Sequence, residues 1–364
     1  MSSKLYINKD NIKNNIDKLR SYISDNTKII AMVKANAYGC GANEISNYLE
    51  EIGIEDFGVA LVSEGVKLRK SGIKSNIIVT SQFLKTDMED IIKYDLTVSA
   101  SNLDMIILLN EYARNTDKTV NIHIKIDSGM GRLGFDESNI YDSIKEIKDT
   151  CKNINIQGIY THLSSADTNE EYTRFQLDRF DKIVTNLKNQ GYYFKYIHAL
   201  NSAGTLKYSF YQYTHIRAGI LIYGYMPDTS IKNDDFLPCL TLKSPILRIH
   251  TITEDSKISY GGTYIAKVGQ KIATIQIGYA DGLPRPCSNK YSVYVNGNKC
   301  PIIGNICMDM CMIDVSNIKD DIQIGDEVTI FKTKEDIDEI ANITNSINYA
   351  VISRLNERIE RILI

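Results

Sequence analysis

The chain has 364 residues, 43% hydrophobic and 24% charged, a profile that supports a large core and suggests two domains or one large barrel with an addition. A formal net charge of −3 offers no electrostatic basis for holding nucleic acid or for a polybasic attachment to membranes. The first ten residues lack an apolar signal core, no apolar run approaches a membrane span, and seven scattered cysteines complete no zinc pattern, so the expectation is a metal-free cytoplasmic protein with reduced thiols.

In chain order, residues 4 to 8 have the character of a strand that pairs elsewhere, and residues 10 to 24 place Ile12, Ile16, Leu19 and Ile23 at helical spacing. Ile29 to Val33 reads as a flat apolar strand covered on both faces. Lys34 stands at its carboxyl end, before a small-residue turn containing Gly39 and Gly41. A regular alternation follows: helix 42–51, strand 57–61, helix 63–71, strand 76–80, a helix near 85–93, strand 96–100, helix 102–115 and strand 120–126. Helix 138–150, strand 156–161, helix 170–190 and strand 196–200 continue it, and a short connector leads to a strand at 215–217. Eight strands separated mostly by helices predict an α/β fold, a closed (β/α)8 TIM-like barrel over residues 11–232. An open doubly wound sheet competes with it, but no GxGxxG turn follows the first strand.

Beyond residue 232 the pattern changes. Pro238 and Pro245 flank the change, and short alternating runs begin at Lys257, Lys271, Ser292, Pro301, Met308 and Glu327, with a hairpin signal at Asn296-Gly297. Residues 233–364 read as a mostly β C-terminal domain closed by helices near 335–342 and 347–357, with residues 1–10 pairing to it.

Reacting groups of a barrel gather at the carboxyl ends of its strands. Those positions hold Lys34, Lys125, Asp127, Arg132, His162, Asn201-Ser202, Arg217 and Gly219-Ile220. Singly, each has a plain reading: Lys34 reaching solvent, His162 a satisfied core histidine, Arg132 or Arg217 an ion-pair partner, Asn201 a turn cap. Their convergence on one rim is harder to explain by packing, because unpaired buried charge is costly. A desolvated lysine forms Schiff bases with carbonyl compounds, and glycine-bearing turns after the last strands suit a phosphate. Together they suggest pyridoxal phosphate.

The same residues resemble the motifs of the alanine racemase family along nearly the whole chain. Val33-Lys34-Ala-Asn-Ala-Tyr38-Gly resembles its cofactor-lysine motif, and Lys125-Ile-Asp-Ser-Gly-Met-Gly-Arg132, Thr161-His162, Asn201-Ser202-Ala and Arg217-Ala-Gly219-Ile220 follow in order. Ser259-Tyr260-Gly, Gly278-Tyr279-Ala-Asp, Cys307-Met308-Asp309 and Ile347-Asn-Tyr349 complete the set.

The resemblance implies a homodimer with active sites at the subunit interface, pyridoxal 5'-phosphate as cofactor and an amino acid as substrate. Lys34 would hold the cofactor and act as one base, and Tyr260 from the second subunit would act as the other from the opposite face. His162 would link Tyr260 to Arg217, which would face the pyridine nitrogen and leave it unprotonated. Tyr38, Ser202, Gly219, Ile220 and Tyr349 would hold the phosphate, with Asn201 in the same cofactor-binding set. Arg132 and the Met308 N–H would meet the substrate carboxylate, and Lys125 would be carbamylated and orient Arg132. Asp167, Tyr279, Arg285, Asn305 and Ile347 would line the entrance. Three positions depart from the family pattern: Cys40 replaces a usual histidine, Asn305 an arginine and Met310 a glutamine. They leave open a serine or broad-specificity racemase of the same fold, with a fold-related decarboxylase and a non-catalytic cofactor carrier as more distant rivals.

Overall fold

The computed structural model describes residues 2–211, 213–228, 231 and 233–364, so the expected domain boundary at residue 232 lies outside the described residues. The chain opens with strand β1 (Lys4–Ile7) and a helix over Lys9–Tyr22, whose cap Asn8 accepts the Asn11 N–H. Eight parallel strands follow: β2 (Lys28–Met32), β3 (Asp56–Val59), β4 (Asn76–Gln82), β5 (Thr97–Ala100), β6 (Val120–Lys125), β7 (Ile154–Tyr160), β8 (Tyr196–His198) and β9 (His215–Ala218). Each pairs with the next from β2 to β8, and β9 returns beside β2 with Arg217 opposite Ile30. The circuit closes where the Arg217 N–H donates to the Leu200 carbonyl at 2.9 Å. Helices between the strands cover the outer face, which is why the strands are apolar along their length.

Several expectations are corrected. The connector between β8 and β9 contains a helix, Ser202–Tyr208, too short and too glycine-bearing to show a helical period. The segment near 85–93 begins as a 3₁₀ turn at Lys85–Asp87 before its helix Met88–Lys93. The final helix spans only Asn348–Ile352.

The second sheet contains β10 (Leu240–Thr251), β13 (Lys271–Ile275), β14 (Ser292–Val295), β15 (Asn298–Ile303), β16 (Cys311–Asp314), β17 (Glu327–Phe331), β18 (Glu360–Leu363) and β1, while β11 (Ser256–Ile258) and β12 (Tyr264–Ala266) form a separate hairpin. The long strand β10 organises it. Its first half pairs with β17 and its second half with β13, with register shifts after Leu242 and Ile246, so β10, β13, β16, β15, β14 and β17 form a closed circuit. Pro245, expected to mark a boundary, instead sits inside β10 between those two irregularities, where a missing N–H is tolerated. On the other edge of β10, β1 pairs antiparallel to it and parallel to β18, so the N-terminal strand belongs to the C-terminal sheet.

Candidate active site

Side chains of a strand alternate between faces, so His123 and Lys125 of β6 point the same way, as do His215 and Arg217 of β9. On β7, Gly158 makes room for the His123 ring, since a Cβ there would lie 2.8 Å from it. These inward residues build a polar column up the barrel axis. At its top Arg217, 4% exposed, donates five hydrogen bonds. Nη1 reaches His198 Nδ1 (2.9 Å) and the His198 carbonyl (3.1 Å). Nη2 reaches the carbonyls of Thr161 (2.9 Å) and Ala199 (3.0 Å) and His162 Nδ1 (3.0 Å). Burial lowers its pKa to about 10, which leaves it a cation at neutral pH.

A guanidinium only donates, so both imidazole Nδ1 atoms must accept. His198 therefore carries its proton on Nε2, 3.0 Å from Nδ1 of His123, and His162 carries its proton on the ring nitrogen remote from Arg217. Burial, reinforced by the Arg217 charge, holds His162 and His198 well below the ordinary histidine value. Burial takes His123 down to about 3. The Tyr160 ring stacks on His198 at 4.7 Å and lies under both the Lys125 amine (4.6 Å) and the Arg217 guanidinium (5.4 Å).

Beside this column a cavity of about 200 Å³ is lined by Lys34, Lys125, Arg132, Tyr160, His162 and Arg217. Burial, with Arg132 and Arg217 nearby, lowers the Lys34 amine from its usual value. Burial, then Arg217 and Arg132, brings Lys125 down to about 7, and among the described residues it has no ion-pair partner. The loop leading to Arg132 is ordered by Asp127, whose carboxylate accepts the N–H groups of Gly129, Met130, Gly131 and Arg132 at 2.8 to 3.1 Å. Against the upward push of burial, those four donors keep the Asp127 carboxyl below its usual range.

Lys34 is followed by an unusual turn. Ala35, Asn36, Ala37 and Tyr38 all have φ between 52° and 55°, a left-handed conformation that costs about 1–2 kcal/mol per non-glycine residue. Glu64 accepts the Ala35 N–H (2.7 Å), Asn36 accepts the Ala42 N–H (2.8 Å), and Arg361 donates to the Gly39 carbonyl (3.0 Å). The turn brings the Tyr38 ring against Tyr223 (5.2 Å) and Tyr349 (6.1 Å). The Tyr38 hydroxyl stands over Gly219, where a Cβ would come within 2.3 Å of it, and Ser202 accepts the Gly219 N–H at 3.1 Å. Ile220 follows in a buried 3₁₀ turn. Asn201 caps the helix that starts at Ser202, its side-chain oxygen accepting the Gly204 N–H at 2.8 Å.

Of the remaining expected residues all but Asp167, which follows β7 in the barrel, lie on the C-terminal domain. Tyr260 is at the tip of the β11–β12 hairpin, 72% exposed, and among the described residues its phenol has no hydrogen-bond partner. Asn305 donates to the Tyr260 carbonyl at 2.7 Å, and Ser259 (φ 62°) donates to the Asn305 carbonyl. Met308 and Tyr279 are exposed on two loops zipped by Tyr279 N–H to Cys307 and Ala280 N–H to Met308 bonds, and Arg358 pairs with Asp281 and Asp309, both at 2.6 Å. Arg285 is exposed in a 3₁₀ turn, Ile347 is exposed before the helix Asn348–Ile352, and the Asp167 carbonyl accepts from Lys207. Within one chain, Tyr260, Met308, Tyr279, Arg285 and Asn305 do not line the Lys34 cavity.

Sequence reasoning missed Tyr160, His198, His123, Glu64 and Arg361. His123 had a usable signal, since it stands two residues before Lys125 and so shares its face. The others carry no local mark.

A parallel barrel with an amine at the end of its first strand and a locked guanidinium at its mouth, joined to a β domain that displays a tyrosine, defines a two-domain class of barrel enzyme. The chain matches the family models for the alanine racemase N-terminal domain over residues 7–227 and C-terminal domain over residues 239–363. It is 37% identical over 367 residues to alanine racemase 1 of Clostridium acetobutylicum, covering 98% of this chain and 94% of that one. Among solved structures, alanine racemase of Clostridium difficile 630 superposes with a TM-score of 0.94 at 32% identity, covering 100% of this chain and 96% of that one. The alanine racemase of Bartonella henselae, solved with covalently bound pyridoxal phosphate, superposes at 0.87 with 26% identity, covering 100% of both chains. The chain belongs to the alanine racemase family. Among the described residues no helix is long and apolar enough to cross a membrane.

Proposed function

We propose that the chain is a pyridoxal 5'-phosphate-dependent racemase that interconverts L- and D-alanine, working as a cytoplasmic homodimer. The observation that carries this reading is the single cavity that sets the depressed Lys34 amine beside the Arg217–His162 pair.

The residues present fit the cofactor. Lys34 is a primary amine in surroundings that favour its neutral, nucleophilic form. The hydroxyls of Tyr38, Ser202 and Tyr349 and the backbone at Gly219 and Ile220 supply donors for a phosphate, and glycine at 219 leaves the room that lets the Tyr38 hydroxyl approach. When bound, pyridoxal phosphate supplies an electron sink that acidifies the α-hydrogen of an amino acid.

This chain's own residues do the rest. Arg217, fixed by five bonds, presents a donor that does not release its proton, so it steadies a neighbouring ring nitrogen by hydrogen bonding alone. Arg132 offers a cation for the substrate carboxylate, aided by the Met308 N–H of a second subunit. Lys125, its amine brought down to about 7, is suited in its neutral form to add carbon dioxide with release of a proton, giving a carbamate anion able to hold Arg132. Tyr260, with its phenol extended into solvent, reaches the cavity of a partner chain. For D-alanine, Lys34 Nζ takes the α-proton and Tyr260 Oη returns one to the opposite face; for L-alanine the roles exchange. His162 relays the Arg217 charge toward that phenol. The cytoplasmic setting is supported by seven cysteines that are all free thiols.

The test is α-proton exchange in heavy water. Tyr260→Phe is expected to slow exchange from L-alanine by about 10²–10⁴-fold while exchange from D-alanine falls far less. Equal loss from both enantiomers, with the cofactor spectrum intact, would falsify the assignment of the two bases.

A further inference from the structure

The left-handed turn after Lys34 is buried at Ala37, Tyr38 and Gly39 and open at its start. A cavity of about 730 Å³ opens on its outer side, lined by Ala35, Asn36, Gly41, Glu64 and Arg361 among others, and Ala35 is exposed. Side-chain packing is thus uneven along the turn, and polar bonds help to hold it. The one that crosses from the C-terminal sheet comes from Arg361 on β18. Its guanidinium donates to the carbonyls of Leu355 (3.0 Å), Asn356 (2.7 Å) and Ile359 (2.6 Å), all in its own segment. Those bonds fix its plane, and the remaining N–H groups converge on one remote atom, the Gly39 carbonyl, at 3.0 and 3.2 Å. Among the described residues Arg361 has no ion-pair partner, so these carbonyls are its bonding environment. The Gly39 N–H closes the turn on the Ala35 carbonyl, so the Gly39 residue is bonded at both ends. The same glycine lies against the Ile352 carbonyl, where a Cβ would stand at 2.1 Å.

We propose that Arg361 is a positioning residue for Lys34 and Tyr38: by holding the Gly39 carbonyl it keeps the turn left-handed and so aims the amine at its end and the hydroxyl over Gly219. This rests on the reading of Lys34 as cofactor anchor and base. The bond ties the chain's last strand to Gly39, 322 positions earlier in numbering, in the turn that opens at Lys34. Loss of the clamp leaves the His162–Arg217 side of the cavity, and Tyr260 on its hairpin, untouched. The defect is therefore directional.

The experiment compares Arg361→Gln and Arg361→Lys holoenzymes with the parent for cooperative unfolding, cofactor release on dilution, and α-proton exchange from each alanine enantiomer. Arg361→Gln is expected to release pyridoxal phosphate about tenfold faster and to lose about fivefold more exchange from D-alanine than from L-alanine, with Arg361→Lys between it and the parent. A structural role alone moves stability without that asymmetry, so equal loss in both directions, or unchanged release, overturns the proposal. If Arg361→Gln does not accumulate folded, the same readouts on Arg361→Lys decide. Borohydride reduction of the parent holoenzyme followed by peptide mapping is read separately: a label on another lysine removes the underlying assignment, whereas a label on Lys34 with symmetric variants removes only the Arg361 proposal.

Discussion

Arg217 is almost wholly removed from water, a situation that is unfavourable unless its charge is well bonded, and both terminal nitrogens are engaged, by three carbonyls and two imidazoles. The imidazoles are neutral because the guanidinium and burial oppose a second charge. Lys125 is less well provided for, and its amine is pulled from the usual 10.5 to about 7. The sign of the consequence is fixed by linkage. Between those two values the unfolded chain holds a proton that the folded amine has released, so this group makes the folded state more stable as pH rises through the window and less stable as it falls. Lys34 is shifted in the same direction. In cofactor-free protein and carbon dioxide-free buffer, Lys125→Met is expected to flatten the rise of the denaturation midpoint across the window. An unchanged slope would show that the amine titrates normally.

The elements show which parts of the fold the sequence carries openly. Barrel strands covered on both faces are flat apolar runs, and their starts are legible to within a few residues, as at β2, β4 and β6. The long strand β10 is hidden because Pro245 punctuates it, and only the closed sheet reveals that the proline falls between two register shifts. The Lys34 turn is hidden for another reason: Ala, Asn, Ala and Tyr bear no left-handed signature, and the groups that hold them lie at Glu64 and Arg361. Likewise Lys34, Arg132, His162 and Arg217 are legible through motifs at strand ends, whereas His198 and Tyr160 gain meaning only from the inward stack. Gly39 tests the turn as an element. With φ at +84° and a Cβ that would meet the Ile352 carbonyl, Gly39→Ala is expected to destabilise the protein by about 2 kcal/mol or more and to loosen cofactor binding. Denaturant unfolding checks it, and a stability equal to the parent's would mean that the backbone there is free to shift.

At the scale of the whole molecule, the two groups of residues assigned to the proposed site do not meet within one chain. The barrel gathers Lys34, Lys125, Arg132, His162 and Arg217, while the C-terminal domain displays Tyr260, Met308 and Tyr279, exposed on hydrogen-bonded loops that do not line that cavity. Asn305, where the family pattern has an arginine, holds the Tyr260 carbonyl, so its departure bears on the support of the hairpin as well as on the charge at the proposed entrance. In the proposed dimer, two copies related by a twofold axis would complete two such sites at once, because each would lend the same surface to the other.

The most direct measurement is complementation. Lys34→Ala and Tyr260→Phe chains, each close to inactive in racemisation, are dissociated, mixed in equal amounts and reassociated. Random pairing makes half of the dimers mixed, each with one site doubly altered and one intact, so activity is expected to return to about one quarter of the parent's. If the mixture stays at the level of the separate variants while mixed dimers are demonstrably present, Lys34 and Tyr260 do not serve one site from two chains.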